Sequence, residues 1–265
     1  MTTTIPLKLY KYQSLAGDSH TLENLRKHQL FFPKPALLND PYDFAISFRL
    51  LDATDKQWNK AYKKMREQLK KEGNFVAVKE ADRTFLTDGL LNQLFRDKVN
   101  KVNVDNIENR RQKYKDNGVA CFTEDFVNFL MWSHYADGHR GLCLEFDTKY
   151  LPFNNHQKLK RVIYRNVQPV LNPVEFLIKG RVEITPFITK STKWNYEKEW
   201  RLITLNGNSA IEYDPRALTG IYFGCSMLED QKRKIATMPA NSAARLYIMK
   251  LSPTKFELEY EPFRL

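Results

Sequence analysis

One short segment, Lys190–Ile203, brings together the side chains best suited to chemistry, because it combines two carboxylates, cations and large aromatic rings. The Trp, Leu, Ile and Thr residues that end and follow it favour an extended strand. Alternation along such a strand sends Glu197, Glu199 and Arg201 to one face, and Trp200 then faces the core. Two carboxylates about 7 Å apart can raise each other's pKa or share a ligand, and Arg201 would hold one of them ionised.

The same segment also has a purely structural interpretation. On a helix, Glu197 and Arg201 would form an ordinary i,i+4 surface pair that contributes little to stability. The residue types alone leave both interpretations open.

A second group of polar and aromatic side chains follows a helical spacing. Asn128, Trp132 and Tyr135 would lie near one another at a helix end, while Leu130 and Met131 can face the core. The resulting aromatic and amide surface suits a planar ring such as a nucleobase or nicotinamide. The alternative, that Trp132 and Tyr135 pack the helix onto a sheet, stays open.

The same helix carries Ser133 and His134, which are candidate polar contacts for a ligand. His134 has the chemistry of a general base, although a single histidine is often structural. Although His134 and His139 lie close enough in sequence to leave a metal site open, the histidines and cysteines follow no zinc-binding spacing. No metal is therefore expected.

Two further segments carry candidate ligand-binding residues. Asn39, Asp40 and Pro41 form a turn, because Asn and Asp bond their own backbone and Pro fixes the next φ. The segment Tyr10-Lys11-Tyr12 on the first strand either packs, with a snorkelling lysine, or lines a pocket. The chain has no P-loop, GxGxxG, GxSxG or kinase motif, so a Rossmann dehydrogenase or a serine hydrolase has no support.

The composition indicates a globular protein, since 42% of the 265 residues are hydrophobic and 13% are aromatic. The start shows no basic and apolar leader, and no run approaches the roughly 20 apolar residues of a membrane span. A soluble cytoplasmic protein without membrane contact is expected. Cys121, Cys143 and Cys225 are odd in number and widely spaced, which is typical of reduced core thiols.

The positive charge is concentrated in one part of the chain. Residues 56–115 contain 16 Lys and Arg against 8 Asp and Glu, so they carry +8 of the formal net charge of +11. Clustered Lys and Arg neutralise phosphates, which predicts a nucleic-acid partner for this block. A solvated helical face that keeps the protein soluble is the competing interpretation.

The distribution of elements predicts an α+β fold, because helices come early, short strands come late, and no regular βαβ repeat occurs. We expect one domain over residues 1–265, with a basic helical insertion or lid at 52–115. The predicted helices are His20–His28, a capped helix from Thr54 to Leu69, Phe85–Val99 and Asp125–Tyr135. The predicted strands are Leu7–Tyr12, Val119–Thr123, Gly141–Asp147, Leu159–Tyr164, Glu199–Leu205, Leu218–Phe223, Arg245–Leu251 and Phe256–Tyr260.

Motifs along most of the chain resemble the bacterial domain-of-unknown-function family numbered 2971. The motifs are Leu9-Tyr10-Lys11-Tyr12, Asn39-Asp40-Pro41-Tyr42-Asp43, Val119 to Glu124, Leu130 to Asp137 with Gly141, and Trp194 to Arg201. A weaker resemblance is to ADP-ribosyltransferases, nearest to DNA-modifying toxins of the DarT type. It rests on the order of elements, which begins with a first strand bearing a polar ligand and ends with a late strand that starts at a glutamate.

The weaker resemblance implies a strand-rich, split-sheet fold that binds NAD as substrate. By this resemblance Glu199 is the catalytic residue, with Glu197 as its neighbour or substitute. Lys11 falls where these enzymes usually carry His or Arg, and Thr123 falls near their second-strand hydroxyl. A lysine can contact a phosphate, but it cannot reproduce the fork of an arginine.

The first functional hypothesis is therefore an NAD-dependent ADP-ribosyltransferase-like enzyme, a toxin or anti-phage effector, whose basic block guides a nucleic-acid substrate. A neutralising partner protein would fit a toxin, and the residues do not identify one. The second hypothesis is a non-catalytic nucleotide- or nucleic-acid-binding module, and the third is a metal-dependent nuclease that uses Asp40, Asp43, Glu197 and Glu199. The candidate ligand-binding residues of the first hypothesis are Tyr10, Lys11, Tyr12, Asn39, Asp40, Thr123, Ser133, His134, Tyr135 and Arg201.

Overall fold

A computed structural model of the chain describes residues 4–17, 20–43, 54–86, 115–152, 159–169, 174 and 185–265. The chain divides into two compact units. Unit 1 comprises Met1–Asp40, Asp116–Arg165 and Lys190–Leu265, and unit 2 comprises Pro41–Lys115 and Asn166–Thr189. The block at 52–115 falls in unit 2, and its residues 87–114 lie outside the described ones. A single domain with this insertion stays a prediction.

The described residues form short helices and strands in the following order along the chain. The strands are β1 Lys8–Gln13, β2 Gln29–Phe32, β3 Gly118–Thr123, β4 Leu142–Asp147, β5 Leu159–Arg161, β6 Ile163–Arg165, β7 Thr189–Ser191, β8 Glu199–Thr204, β9 Ser209–Glu212, β10 Leu218–Phe223, β11 Arg245–Leu251 and β12 Leu258–Pro262. The α-helices are α1 Thr21–Arg26, α2 Asp55–Lys71, α3 Phe75–Leu86, α4 Phe129–Tyr135 and α5 Glu229–Ala236. Short 3₁₀ helices occur at Pro35–Leu37, Thr148–Tyr150, Thr185–Ile188, Thr192–Glu197, Pro215–Ala217 and Pro239–Asn241.

Eight strands build one mixed sheet in the order β12-β11-β10-β4-β1-β3-β8-β5. Strands β10 and β11 pair in parallel, whereas the other neighbours pair antiparallel. A parallel pair needs a crossover connection, and α5 lies in the connection between β10 and β11. Two-stranded sheets join β2 to β9 and β6 to β7. The mixed α+β architecture predicted from the sequence is confirmed.

The two faces of the large sheet bury different kinds of side chains. One face carries the larger apolar core, to which Trp200 and Leu202 of β8 belong. The other face packs against α4, whose Trp132 meets Tyr12 of β1 with ring centroids 5.2 Å apart. Side chains alternate along a strand, and the strand pairings place Glu199 and Arg201 on this α4 face. Strand β8 therefore has one face in the apolar core and one charged face, as predicted.

Most of the predicted strands of unit 1 occur within a residue or two of their expected bounds. The helix expected to start at Asp125 starts instead at Phe129, because Asn128 Oδ1 caps it by accepting from the N–H groups of Leu130 and Met131 at 3.0 and 3.2 Å. The strand predicted at Leu159–Tyr164 divides into β5 and β6, which pair with different strands. Helix α5 was not predicted, because its sequence is mostly charged and buries little apolar surface.

Unit 2 contains the helical pair α2 and α3. Thr54 and Gln57 form the predicted capping box of α2, and each accepts from the backbone N–H of the other. Arg66 of α2 forms a bidentate ion pair with Asp82 of α3 at 2.7 and 3.0 Å. All lysines of α2 are exposed, as expected for a basic solvent-facing surface. The helix predicted at Phe85–Val99 lies largely outside the described residues.

No described helix combines the length and the apolar character that crossing a membrane requires. The three cysteines form no disulfide, and Cys143 is buried in the sheet.

Candidate active site

The segment that precedes β8 is not the continuous strand that the sequence predicted. Residues Thr192–Glu197 form a 3₁₀ helix, and Lys198 follows it in the left-handed region with φ 45°. Strand β8 begins only at Glu199. The hydroxyl of Thr123 donates to the carbonyl oxygen of Glu197 at 2.6 Å and so holds the end of the 3₁₀ helix. The expectation that Glu197 and Glu199 share one strand face is therefore wrong, because a tight turn separates them.

Both glutamates are nevertheless buried, with Glu197 2% and Glu199 4% exposed. Arg201 is fully buried and holds Glu199 in a bidentate pair, with Nε–Oε1 at 2.7 Å and Nη2–Oε2 at 2.9 Å. Burial by itself would raise the pKa of Glu199, but the charges of Arg201 and Lys190 outweigh burial and lower the pKa to about 2. The predicted pairing of Arg201 with one of the two glutamates is confirmed, and the alternative of an exposed helical pair is wrong.

Lys190 connects the two carboxylates. Its Nζ donates to Glu197 Oε2 at 2.6 Å and lies 3.6 Å from Glu199 Oε2. Burial, reinforced by the charge of Glu199, raises the pKa of Glu197 against the opposing effect of Lys190. The two neighbouring carboxylates thus have pKa values displaced in opposite directions. Such a separation is the usual basis for assigning one group as proton carrier and the other as a permanent charge.

A hydrogen-bonded chain leads from Glu197 to the protein surface. The hydroxyl of Tyr135, at the end of α4, donates to Glu197 Oε1 at 2.6 Å. Asn39 is exposed, and its Nδ2 donates to the Tyr135 hydroxyl at 3.1 Å. Burial and the charge of Glu197 raise the pKa of Tyr135, so this phenol stays protonated and can donate. The two hydrogen bonds link the buried carboxylate of Glu197 to the exposed amide of Asn39.

Two further groups surround Glu199. The hydroxyl of Tyr164 accepts from the N–H of Glu199 at 2.8 Å. Lys11 Nζ donates to the carbonyl oxygen of Cys121 at 3.2 Å, and burial lowers the pKa of Lys11 while the nearby Cys121 and Glu199 oppose that shift. The side chain of Lys11 is therefore close to the carboxylate of Glu199.

The structure brings together about half of the candidate site residues. The hydrogen-bonded and charged groups around the two carboxylates are Lys11, Asn39, Thr123, Tyr135, Glu197, Glu199 and Arg201, together with Lys190 and Tyr164. We call this set the charge cluster. Asp40, which follows Asn39 in the sequence, is buried.

Other candidates have contacts elsewhere. The Tyr12 hydroxyl donates to the carbonyl oxygen of Asp125 at 3.0 Å, and the ring of Tyr10 packs on Phe126 with centroids 4.8 Å apart. Ser133 donates to the carbonyl oxygen of Phe129 at 3.0 Å or interacts with Nε2 of His139 at 3.1 Å. These three side chains contribute to packing and to the helix rather than to the charge cluster.

The aromatic surface expected on α4 is not formed by Trp132. This side chain is fully buried, and its indole N–H donates to the carbonyl oxygen of Phe126 at 2.8 Å. Leu130, expected in the core, is 37% exposed. The helix is rotated relative to the expectation because Met131 and Trp132 together provide the larger apolar surface for the sheet.

The aromatic group beside the charge cluster is Trp194, which was not among the candidate residues. Lys190 Nζ lies 4.6 Å from the centroid of its ring, and the exposed His134 contacts it edge-on at 6.2 Å. Lys190 and Trp194 were both visible in the segment that first suggested chemistry. Lys190 lies on β7 and Trp194 on the 3₁₀ helix that follows it, and no alternation pattern predicts this helix.

Among the described residues, no group of three or more His, Cys, Asp or Glu side chains is placed to hold a metal ion. The nuclease hypothesis has no support from this part of the chain. A cavity of about 500 Å³ lies elsewhere in unit 1, where Phe129, His139 and the loop between β11 and β12 form its walls. It includes none of the charge cluster.

These features define an α+β protein in which a mixed sheet carries a buried cluster of carboxylates and cations on its α4 face. Residues 131–202 match the model of a protein family described as "Protein of unknown function (DUF2971)". The matched segment contains Tyr135, Lys190, Glu197 and Glu199, and it ends one residue after Arg201. No curated protein sequence and no solved structure matches the chain.

The opposite pKa displacements predict two separate titration steps. We expect carbon NMR of the glutamate carboxyls to give a midpoint of about 2 for Glu199 and a midpoint above 4.5 for Glu197. Because the pKa of Glu199 is depressed, its ionisation stabilises the fold above about pH 4.5, and this contribution is lost as the pH falls toward 2. The pKa shift of Glu197 has the opposite sign. The stability that its protonated carboxyl group contributes is therefore present below pH 4.5 and is lost as the pH rises.

The variant Glu197→Gln assigns the two signals, since only one of them disappears. Two overlapping midpoints near 4.5 would contradict the separation of the pair.

Proposed function

We propose that the protein is an NAD-dependent ADP-ribosyltransferase-like enzyme that acts on nucleic acid, as a toxin or an anti-phage effector. The observation that carries the proposal is the carboxylate pair at the start of a late strand, in which Glu199 is held ionised and Glu197 has a raised pKa. Two carboxylates with separated pKa values are suited to a reaction that develops positive charge and releases a proton.

The two glutamates would have different tasks. When the bond between ribosyl C1′ and nicotinamide breaks, C1′ gains oxocarbenium character, and the incoming nucleophile forms its bond there and loses a proton. Glu197 is the better acceptor for that proton, because its pKa is raised, whereas the pKa of Glu199 is lowered. Glu199 is bound by Arg201 and Lys190, so we assign it to positioning rather than to proton transfer. The resemblance to ADP-ribosyltransferases implies the reverse assignment, with Glu199 as the catalytic residue and Glu197 as its neighbour.

Two observations support a nucleic-acid substrate. The protein has a formal net charge of +11, and the lysines of α2 in unit 2 are exposed. Exposed cations neutralise phosphates and bring a polyanion to the protein at a high rate.

A non-catalytic binding module is the second candidate, and one observation favours it. Glu197 and Glu199 are almost fully buried, and both oxygens of each carboxylate already have hydrogen-bond or ion-pair partners. A buried, fully paired network can also serve to hold one conformation of a ligand-binding surface.

Nicotinamide release separates the two candidates. We expect the purified protein to release nicotinamide from NAD in the presence of mixed nucleic acids, and Glu197→Gln to reduce the rate at least 100-fold. Glutamine keeps the volume and an oxygen for Tyr135 but cannot take up a proton. The measurement is chromatographic quantification of nicotinamide over time.

The matched control is Glu259→Gln, which changes an exposed glutamate of β12 and should leave the rate unchanged. An unchanged rate in Glu197→Gln would refute its role in proton transfer. If the wild-type protein releases no nicotinamide with any acceptor, the enzyme proposal fails and the binding module is favoured.

A further inference from the structure

Trp194 differs from the other tryptophans of the chain in its exposure. All four tryptophans fall within the described residues, and Trp58, Trp132 and Trp200 are 4%, 0% and 2% exposed. Trp194 is partly exposed, and it lies on the 3₁₀ helix that ends at Glu197. Burying a large aromatic side chain is strongly favourable, so a tryptophan left partly exposed beside a buried charge cluster has a contact surface to offer.

Neighbouring side chains hold the indole of Trp194 in place, and no ring among the described residues stacks on it face to face. Lys190 Nζ lies over the ring at 4.6 Å from its centroid, in a cation–π contact. His134 meets the ring edge-on at 72° and Tyr196 is tilted by 44°, with centroids 6.2 and 6.0 Å away. The buried lysine fixes the orientation of the indole before any ligand arrives, which lowers the entropic cost of binding.

Exposed lysines flank Trp194 in the sequence of this short segment. Lys193 and Lys198 are both exposed, and Lys198 forms an ion pair with Asp125 at 3.1 Å. A partly exposed aromatic ring with exposed lysines close to it in sequence suits a ligand that joins a planar ring to phosphate groups.

We infer that Trp194 is a stacking platform for a purine or pyrimidine base beside the charge cluster, with Lys193 and Lys198 placed to contact the phosphates of the same ligand. Such a base can belong to a dinucleotide such as NAD or to an unpaired stretch of nucleic acid, and both have the same ring and phosphate chemistry. This inference concerns the site of the proposed function, but it requires binding only and no turnover.

Tryptophan fluorescence tests the inference directly, because the three other tryptophans are buried. The probes are AMP, NAD, a short single-stranded oligonucleotide and an abasic oligonucleotide of equal length, with excitation near 295 nm. We expect base-containing probes to quench the emission and to protect it from acrylamide, whereas the abasic probe should do neither. Quenching by AMP and NAD alone assigns the dinucleotide source, and quenching by the oligonucleotide alone assigns the nucleic-acid source. If no base-containing probe quenches, or if the abasic probe protects equally, the inference is wrong.

Substitution provides the second measurement. Trp194→Leu should weaken binding of a labelled probe about 5- to 150-fold, as measured by fluorescence anisotropy, because base–aromatic stacking contributes about 1 to 3 kcal/mol. Trp194→Phe keeps a ring and should retain most of the affinity. The matched control is Phe256→Leu, which removes a fully exposed ring of the loop between β11 and β12 and should not change binding.

Equal affinity of wild type and Trp194→Leu would overturn the inference, and circular dichroism of each variant confirms that it is folded. Failure of the stacking inference and failure of the proposed function give different experimental results. A base that binds at Trp194 without release of nicotinamide leaves the stacking platform intact and refutes only the enzyme.

Discussion

Arg201→Met should lower the free energy of unfolding by about 3 to 5 kcal/mol, because it leaves the carboxylate of Glu199 buried beside Glu197 without its bidentate partner. Methionine has a similar length and no charge, so the loss comes from uncompensated charge rather than from a large cavity. The pKa of Glu199 should rise at the same time, since burial is no longer opposed by the guanidinium. Urea-induced unfolding measures the change in stability.

Two further variants control this experiment. Arg201→Met combined with Glu199→Leu removes both charges of the pair and should recover part of the stability, because an apolar replacement of a buried ion pair is often close to neutral. Arg216→Met breaks the exposed ion pair with Asp214 and should change stability by less than about 1 kcal/mol. If Arg201→Met resembles Arg216→Met, the charge cluster does not contribute to stability as argued.

Gly141→Ala should destabilise the protein by about 3 kcal/mol or more, since no space exists for a methyl group at this position. A Cβ built on Gly141 would lie 2.2 Å from the carbonyl oxygen of Gln13 and 2.9 Å from Cα of Ala136. Both neighbours are backbone atoms, so a rotamer change cannot relieve the overlap. Gly141 also donates its N–H to the carbonyl oxygen of Ala136 at 2.7 Å, and this contact closes the loop between α4 and β4. Differential scanning calorimetry measures the effect.

Gly220→Ala is the appropriate comparison for Gly141→Ala. Gly220 lies within β10, whereas Gly141 directly precedes β4. The nearest neighbour of a Cβ on Gly220 would be Cβ of Glu145 at 3.3 Å, which is a side-chain atom that can shift slightly. We expect a smaller loss of stability than in Gly141→Ala. Equal losses in the two variants would show that the backbone contacts at Gly141 are not limiting.

The sequence was sufficient to predict the parts of the site that depend on local regularity. Glu199 and Arg201 are two residues apart in a β-rich segment, so their pairing on one strand face follows from alternation. The burial of Trp200 on the opposite face follows in the same way. Neither conclusion needs knowledge of the remaining fold.

The position of Glu197 could not be predicted by the same reasoning. It depends on a left-handed Lys198, which is an uncommon conformation for a residue other than Gly, Asn or Asp. Thr123 stabilises that turn from a strand that lies 74 residues away in sequence. Contacts of this kind arise only when the sheet is assembled.

The aromatic side chains show a similar limit. Helical spacing identified Trp132 and Tyr135 as neighbours, but spacing does not tell which side of a short amphipathic helix meets the sheet. The structure buries Trp132 and leaves Tyr135 at the carboxylates. In the same way, strand propensity located most strands of unit 1, whereas the order of the eight strands in the sheet has no local signal.

The four buried charged side chains Lys190, Glu197, Glu199 and Arg201 carry two positive and two negative charges, so among themselves they are electrically neutral. Uptake of one proton by Glu197 converts this neutral set into a monocation in a medium of low polarisability. An anionic ligand would relieve the resulting excess of positive charge, whereas a neutral ligand would not. If an anion binds beside these side chains, its binding and proton uptake by Glu197 are thermodynamically coupled, and each increases the affinity for the other.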